Sequence, residues 1–172
     1  MICWFTPPTG RLKLNVDGAF KRSSGAVGGG GILRDAKGDI VFAFSAAYPV
    51  VHSSLEAEAL ALRDGLSFCC DRGILAVAVE SDSLVLVQIL KGCYSCPWRL
   101  LYIMNEVAIK CRMLRVSINH IFREANQVAD CLAGIGCSLT LSPAFWYSWA
   151  ELPTIVKGPY HLDKIWCPSI RP

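Results

Sequence analysis

Four acidic residues carry the chemistry open to this sequence. They are Asp17 in Asn15-Val16-Asp17-Gly18, Glu58 in Leu55-Glu56-Ala57-Glu58-Ala59-Leu60, Asp82 in Glu80-Ser81-Asp82-Ser83 and Asp130 in Asn126-Gln127-Val128-Ala129-Asp130. Each stands at the edge of an apolar segment, where a carboxylate gains little from folding. A scattered set of Asp and Glu, with no Cys or His among them, suits hard divalent cations such as magnesium. A pair of such ions is the usual apparatus for in-line cleavage of a phosphodiester. If the fold brings the four together, the chain cuts nucleic acid. Taken singly, each acid also has a plainer role: a turn at Asp17-Gly18, a solvated helix position at Glu58, a helix cap at Asp82, a surface charge at Asp130. Glu56 and Glu80 compete for the same chemistry, but capping explains Glu56, and Glu80 points into or across its strand.

The elements that must position these acids follow from periodicity. Leu12-Lys13-Leu14-Asn15-Val16 alternates as a half-buried strand ending at Asp17-Gly18. Polar residues from Lys21 to Gly25 make a turn. The run Gly28-Gly29-Gly30-Gly31 leads into Ile32-Leu33-Arg34, and Ile40 to Ala46 completes an antiparallel meander of three strands. The glycine run is not a phosphate-binding loop, because no Gly-Lys-Ser/Thr follows. It marks either close approach of a ligand backbone or tight packing under a helix.

Ser53 with Glu56 three positions on forms a capping box that opens a helix running to about Cys70. Ile74 to Glu80 is nearly continuously apolar, which predicts a strand covered on both faces. Leu84 to Leu90 and Pro97 to Arg112 read as helices. Arg115 to Ile121 alternates as a fifth strand, and a last helix opens at Arg123 and runs to about Ala133. The order βββαβα(α)βα predicts an α/β fold with a five-stranded mixed sheet flanked by helices. Asp17 and Asp82 would then share a crevice at the ends of parallel neighbours.

At 172 residues the chain suits one domain. Its 53% apolar and 18% charged composition excludes wholesale disorder, and the net charge of +3 leaves a nucleic-acid partner open. The odd count of nine cysteines, with a lone Cys93–Cys96 pair, fits reduced thiols in an intracellular protein better than zinc or disulfides. No apolar run is long enough to span a bilayer. Residues 1–10 read as a linker, 11–138 as the domain, and 139–172 as a tail spotted with proline and aromatics, including Trp166 and Pro168. That tail either packs on the domain or offers a surface to a partner.

Asn-Val-Asp-Gly-Ala, Gly-Gly-Gly-Gly-Ile-Leu-Arg-Asp, Ala-Glu-Ala-Leu-Ala-Leu, Glu-Ser-Asp-Ser and His-Ile-Phe-Arg-Glu-Ala-Asn-Gln-Val-Ala-Asp-Cys-Leu-Ala follow one another over Arg11 to Gly136. In that order and spacing they resemble ribonuclease H type 1 domains. More closely, they resemble the reverse-transcriptase-associated ribonuclease H-like domains abundant in plants, many derived from non-LTR retroelements. The resemblance implies the ribonuclease H-like fold and endonucleolytic cleavage of the RNA strand of RNA–DNA hybrids, leaving a 5′-phosphate and a 3′-hydroxyl.

It also implies a two-metal site of Asp17, Glu58, Asp82 and Asp130 using Mg²⁺, with Mn²⁺ as a substitute. Asp17 would bridge the ions, with Glu58 and Asp82 on one side and Asp130 on the other. His120, ten residues before Asp130, matches the family's mobile histidine, which serves proton transfer or product departure. The implied partners are an RNA–DNA hybrid and other domains of a retroelement polyprotein, with the chain itself a monomer and no membrane involved. Well-studied bacterial members carry hybrid-gripping asparagines where this chain has Ser53-Ser54-Leu55. The basic handle is also thin, with Lys91, Arg99, Lys110 and Arg112. The alternative function is a weak or inactive nucleic-acid-binding module.

Overall fold

The alternation that opens at Leu12 builds a strand that runs well past its apolar part. In the computed structural model, which describes residues 2–140 and 143–165, β1 spans Lys13–Lys21. It pairs antiparallel with β2, Ala26–Arg34, from Lys13↔Arg34 to Lys21↔Ala26. The turn shrinks to residues 22–25, where Gly25 takes φ 70°. Asp17 therefore lies inside β1 and not at its end. β3, Ile40–Ala47, completes the meander. Next come α1 (Ser54–Asp71), β4 (Ala76–Ser81), α2 (Leu84–Leu90), α3 (Leu101–Met113), β5 (Arg115–His120) and α4 (Gln127–Gly136).

β4 runs parallel to β1 only from Lys13↔Ala78 to Asn15↔Glu80, and β5 runs parallel to β4. Beyond Asn15 the two strands diverge and open the crevice that was expected at strand ends. α1 starts as its capping residues require. Ser53 Oγ accepts the Glu56 N–H at 3.2 Å, and Glu56 Oε2 accepts the His52 N–H at 3.2 Å, one residue earlier than in the usual reciprocal box.

The last helix begins at Gln127, not Arg123. Residues Arg123–Ala125 form a 3₁₀ turn, and Asn126 separates the two with φ −113°. The break frees the Asn126 side chain for bonds across the sheet.

Among the described residues the sheet has six strands, one more than expected, ordered β5-β4-β1-β2-β3 and then β6 (Ala144–Trp146). The sixth comes from the tail and pairs antiparallel with β3. Phe145 of β6 stacks edge-on against Phe68, ring centroids 4.8 Å apart. A last helix, α5 (Thr154–Lys164), places Val156 and Tyr160 against Ile32, Ala43, Val128 and Leu132. Trp166 and Pro168 lie outside the described residues. From the expected linker, Trp4 is buried against the domain.

The opposite face of the sheet buries Leu14, Val16, Phe42, Phe44, Val77 and Val79 under α1, α2 and α3. β4 is covered on that face alone. Ala76, Ala78 and Glu80 stay half-buried, because α4 packs mainly over β1, β2 and β3.

The four glycines of β2 serve this two-sided cover. A Cβ on Gly28 would overlap the backbone of Gly136 and Cys137, and one on Gly30 that of Leu132 and Ala133. On the other face, a Cβ on Gly29 would lie 2.8 Å from the Ala61 Cβ. The run thus seats helices on both sides of one strand, and no room remains over it for a ligand backbone.

Tyr160 reports how firmly the tail is docked. Its hydroxyl donates to the Gly38 carbonyl at 2.9 Å in a buried setting. Tyr160→Phe is expected to cost about 1 kcal/mol, read as a lower midpoint in chemical denaturation. An unchanged midpoint would mean the tail is not docked in solution. Among the described residues no helix is long and apolar enough to cross a membrane.

Candidate metal centre

Asp17, Glu58 and Asp82 converge from three separate elements. Asp17 lies two residues beyond the last β1–β4 pair and is 4% exposed. Glu58 comes from the second turn of α1, which is drawn onto β1 because Gly18 offers no side chain against Ala57 and Glu58. Asp82 follows β4 directly, and the cap of α2 is Ser83, whose Oγ accepts the Leu86 N–H. Asp82 is therefore free of a capping duty. One carboxylate oxygen from each of the three lies within 4.8 Å of the others, the sole such group of three ligating side chains among the described residues.

Asp130, on α4, lines the same cleft of about 330 Å³ but stands outside the cluster of three. It is tied to Arg123, whose Nη2 donates to Asp130 Oδ1 at 3.0 Å at an exposed position. Ser54 and Lys21 also line this cleft.

His120 ends β5, opposite Ser81, and packs edge-on to Phe122 at 5.8 Å. It does not line the cleft. The competing acids are occupied elsewhere: Glu80 pairs with Lys13 at 2.7 Å, and Glu56 caps α1.

The electrostatics are those of crowded negative charge. Burial first, then the charges of Glu58, Asp82 and Asp130, push the Asp17 carboxyl up from 3.8 to about 10. Burial and then the Asp82 charge raise Glu58 from 4.5 to about 8, against lowering bonds from Asp17 and the Gly18 backbone. Asp82 is also raised by burial, opposed by its bond from Asn126. Without a counter-charge, burial and mutual repulsion disfavour ionising the three carboxylates together. Glu58 Oε2 is buried and meets no hydrogen-bond donor. Hard oxygen donors, an oxygen lacking a partner and no cation inside the cluster fit a divalent metal ion.

Sequence reasoning overlooked the side chains that hold this set. Asn126 Nδ2 donates to Asp82 Oδ1 at 3.2 Å and to the Val16 carbonyl at 3.0 Å, tying α4 to both strands. Asn15 is fully buried. The available signal was an amide set at an inward position of an apolar strand, which must be hydrogen-bonded.

A family model described as reverse transcriptase-like matches residues 15–135, a span that holds all four acids. An Arabidopsis thaliana protein named as a candidate ribonuclease H is 34% identical over 166 residues, covering 96% of this chain. This chain spans 26% of that relative's length. Among solved structures, RNase H1 of the halophilic archaeon Halobacterium salinarum aligns with a TM-score of 0.69 at 24% identity, over 75% of this chain and 98% of its own. LC11-RNase H1, solved in complex with an RNA/DNA hybrid, aligns at 0.68 and 25% identity, over 74% and 97%. The prototype foamy virus protease–reverse transcriptase shares the fold, with a TM-score of 0.61 at 16% identity, over 78% of this chain and 22% of the viral one.

Proposed function

This chain belongs to the reverse transcriptase-like family of ribonuclease H-like domains, and from that membership we propose that it is a metal-dependent endonuclease hydrolysing the RNA strand of RNA–DNA hybrids. The carrying observation is the cluster of Asp17, Glu58 and Asp82, one carboxylate oxygen of each within 4.8 Å of the others, with Glu58 also carrying a buried oxygen, Oε2, that meets no hydrogen-bond donor. These three would hold one Mg²⁺ or Mn²⁺, and Asp17 with Asp130 a second. A divalent cation bound there supplies positive charge at the scissile phosphate and acidity to the attacking water.

The chain's own groups do the rest. Asp17 would be the shared carboxylate, since it is the most buried of the three and feels all three other acids. Asn126 holds Asp82 by an N–H to Oδ1 and so orients its carboxylate. Lys21 and Arg123 bring positive charge to the rim, where a phosphodiester backbone would pass. Arg123 is bonded to Asp130 and would have to give up that carboxylate for it to hold a cation. His120, beyond the cleft on the neighbouring strand, takes the role of proton transfer or product departure. Products carry a 5′-phosphate and a 3′-hydroxyl. We further propose that the domain works within a longer plant retroelement-derived polyprotein, as the partial coverage of its relatives suggests.

The test is incubation of the purified chain with a 5′-labelled RNA–DNA hybrid in magnesium and then manganese, beside Asp82→Asn. Cleavage of the RNA strand that drops about 10²–10³-fold in the variant supports the proposal. Hybrid binding that weakens with salt, without cleavage by folded protein, would instead mark a binding module.

A further inference from the structure

We propose that Trp4, Arg34 and Asp163 are positioning residues for Asp82, acting through the oriented side-chain amides of Asn15 and Asn126. The proposal rests on the reading of Asp82 as a metal-holding carboxylate. Trp4 and Asp163 both lie outside residues 15–135, the span that the family model matches, so the device is built from this chain's flanking segments.

A side-chain amide has one end that accepts and one that donates, so its neighbours decide which way it faces. At Asn15 the neighbours of Oδ1 are Trp4 Nε1 at 2.9 Å and Arg34 Nη2 at 3.0 Å. An indole N–H and a guanidinium can only donate, so the oxygen must face them. The Asn15 amide nitrogen is thereby turned toward Glu80 Oε2 at 3.0 Å and Asn126 Oδ1 at 3.4 Å. With its oxygen engaged, Asn126 presents its own NH₂ to the Val16 carbonyl and to Asp82. The Val16 carbonyl can only accept, and so can Asp82 in its ionised form. Reversing either amide would set oxygen against oxygen, at the Val16 carbonyl or between the two asparagines.

The far end of this chain of bonds is itself fixed. Arg34 is 1% exposed, and Asp163 of α5 accepts from its Nη1 at 2.7 Å. The Trp4 ring covers the guanidinium, with Cζ 3.5 Å from the ring centroid. Lys13 bonds the Phe5 carbonyl at 2.7 Å and so fastens the segment that carries Trp4. The N-terminal segment and the C-terminal helix thus meet on one arginine, and the orientation they impose reaches Asp82 through two amides. An ion pair serving stability alone would need neither the indole N–H nor the aligned asparagines.

The experiment uses the full chain, its Trp4→Phe variant, which keeps a ring over Arg34 but removes the donor, and Asp163→Asn. Side-chain amide NMR signals of Asn15 and Asn126 are followed first, without metal. We expect slow exchange in the parent, and at least tenfold faster exchange with shifted Asn126 signals in both variants. Mn²⁺ affinity should then fall about 10–100-fold, with kcat for hybrid cleavage lowered and KM little changed. Trp4→Phe keeps the question open to measurement if Asp163→Asn does not fold. Unchanged Asn126 signals and unchanged Mn²⁺ affinity in folded variants would overturn the proposal. If the parent itself binds no Mn²⁺, the reading of the metal centre fails, while the amide signals still decide whether Trp4 and Asp163 orient Asn126.

Discussion

Asp17→Asn is expected to lower hybrid cleavage by about 10³-fold or more while raising the thermal stability of the metal-free protein. The two effects share one cause. Asp17 is buried among Glu58, Asp82 and Asp130, so its charge is unfavourable to folding and useful only when a cation neutralises it. Its folded pKa of about 10, and that of Glu58 at about 8, both lie above the ordinary carboxyl values. Groups raised in this way contribute stability below the unfolded pKa, near 4, and lose it as pH climbs through the folded values. The parent in chelator should therefore weaken from about pH 4 toward pH 8 relative to Asp17→Asn.

The melting-temperature advantage of the variant should be small at pH 5 and several degrees at pH 8, given roughly 2–4 °C per kcal/mol at this chain length. Added Mg²⁺ should raise the parent's midpoint and leave the variant's unmoved. A variant that melts no higher than the parent at pH 8, or still responds to Mg²⁺, would contradict the electrostatic account.

Gly18→Ala is expected to damage stability and metal binding together. The new Cβ would overlap the backbone of Ala57 and Glu58, and neither can swing aside as a flexible side chain would. Overpacking commonly costs about 1–3 kcal/mol, and rigid backbone contacts put this case near the top. That corresponds to a fall of roughly 6–12 °C in the melting midpoint. The relief available is for α1 to slide off β1, which carries Glu58 away from Asp17, so Mn²⁺ affinity should fall about 10–100-fold.

Gly134→Ala is the control. It lies within α4 with nothing within 4 Å of its added Cβ, so it should gain about 0.5–1 kcal/mol from helix preference. Equal behaviour of the two variants in denaturation and metal titration would remove the close-approach argument.

Much of this protein was legible from local chemistry. The start of the first strand, the Ser53–Glu56 cap and the short helix after Ser83 are set by neighbours a few residues apart, and the structure reproduces them. The half-buried strand expected from the alternation is instead buried on both faces from Leu14 to Asp17. The four acids were picked out by order and spacing, and the fold brings three of them, Asp17, Glu58 and Asp82, within 4.8 Å of one another.

What tertiary structure alone decided depends on groups distant along the chain. Asp17 sits inside a strand because Gly18 to Lys21 find partners on β2, a pairing that no local pattern announces. The glycine run offered two readings, and only the helices on both sides of β2 select packing. Three residues of β6 are too few to show a period, so the sixth strand exists only because β3 offers an open edge. Arg34 reads as an ordinary strand-end charge until Asp163, 129 residues away, meets it under Trp4. Sequence by itself determined which acids this protein has and the order of its main elements. The fold decided that three of those acids share one buried cluster, because burial and mutual repulsion are properties of distance in space and not of spacing along the chain.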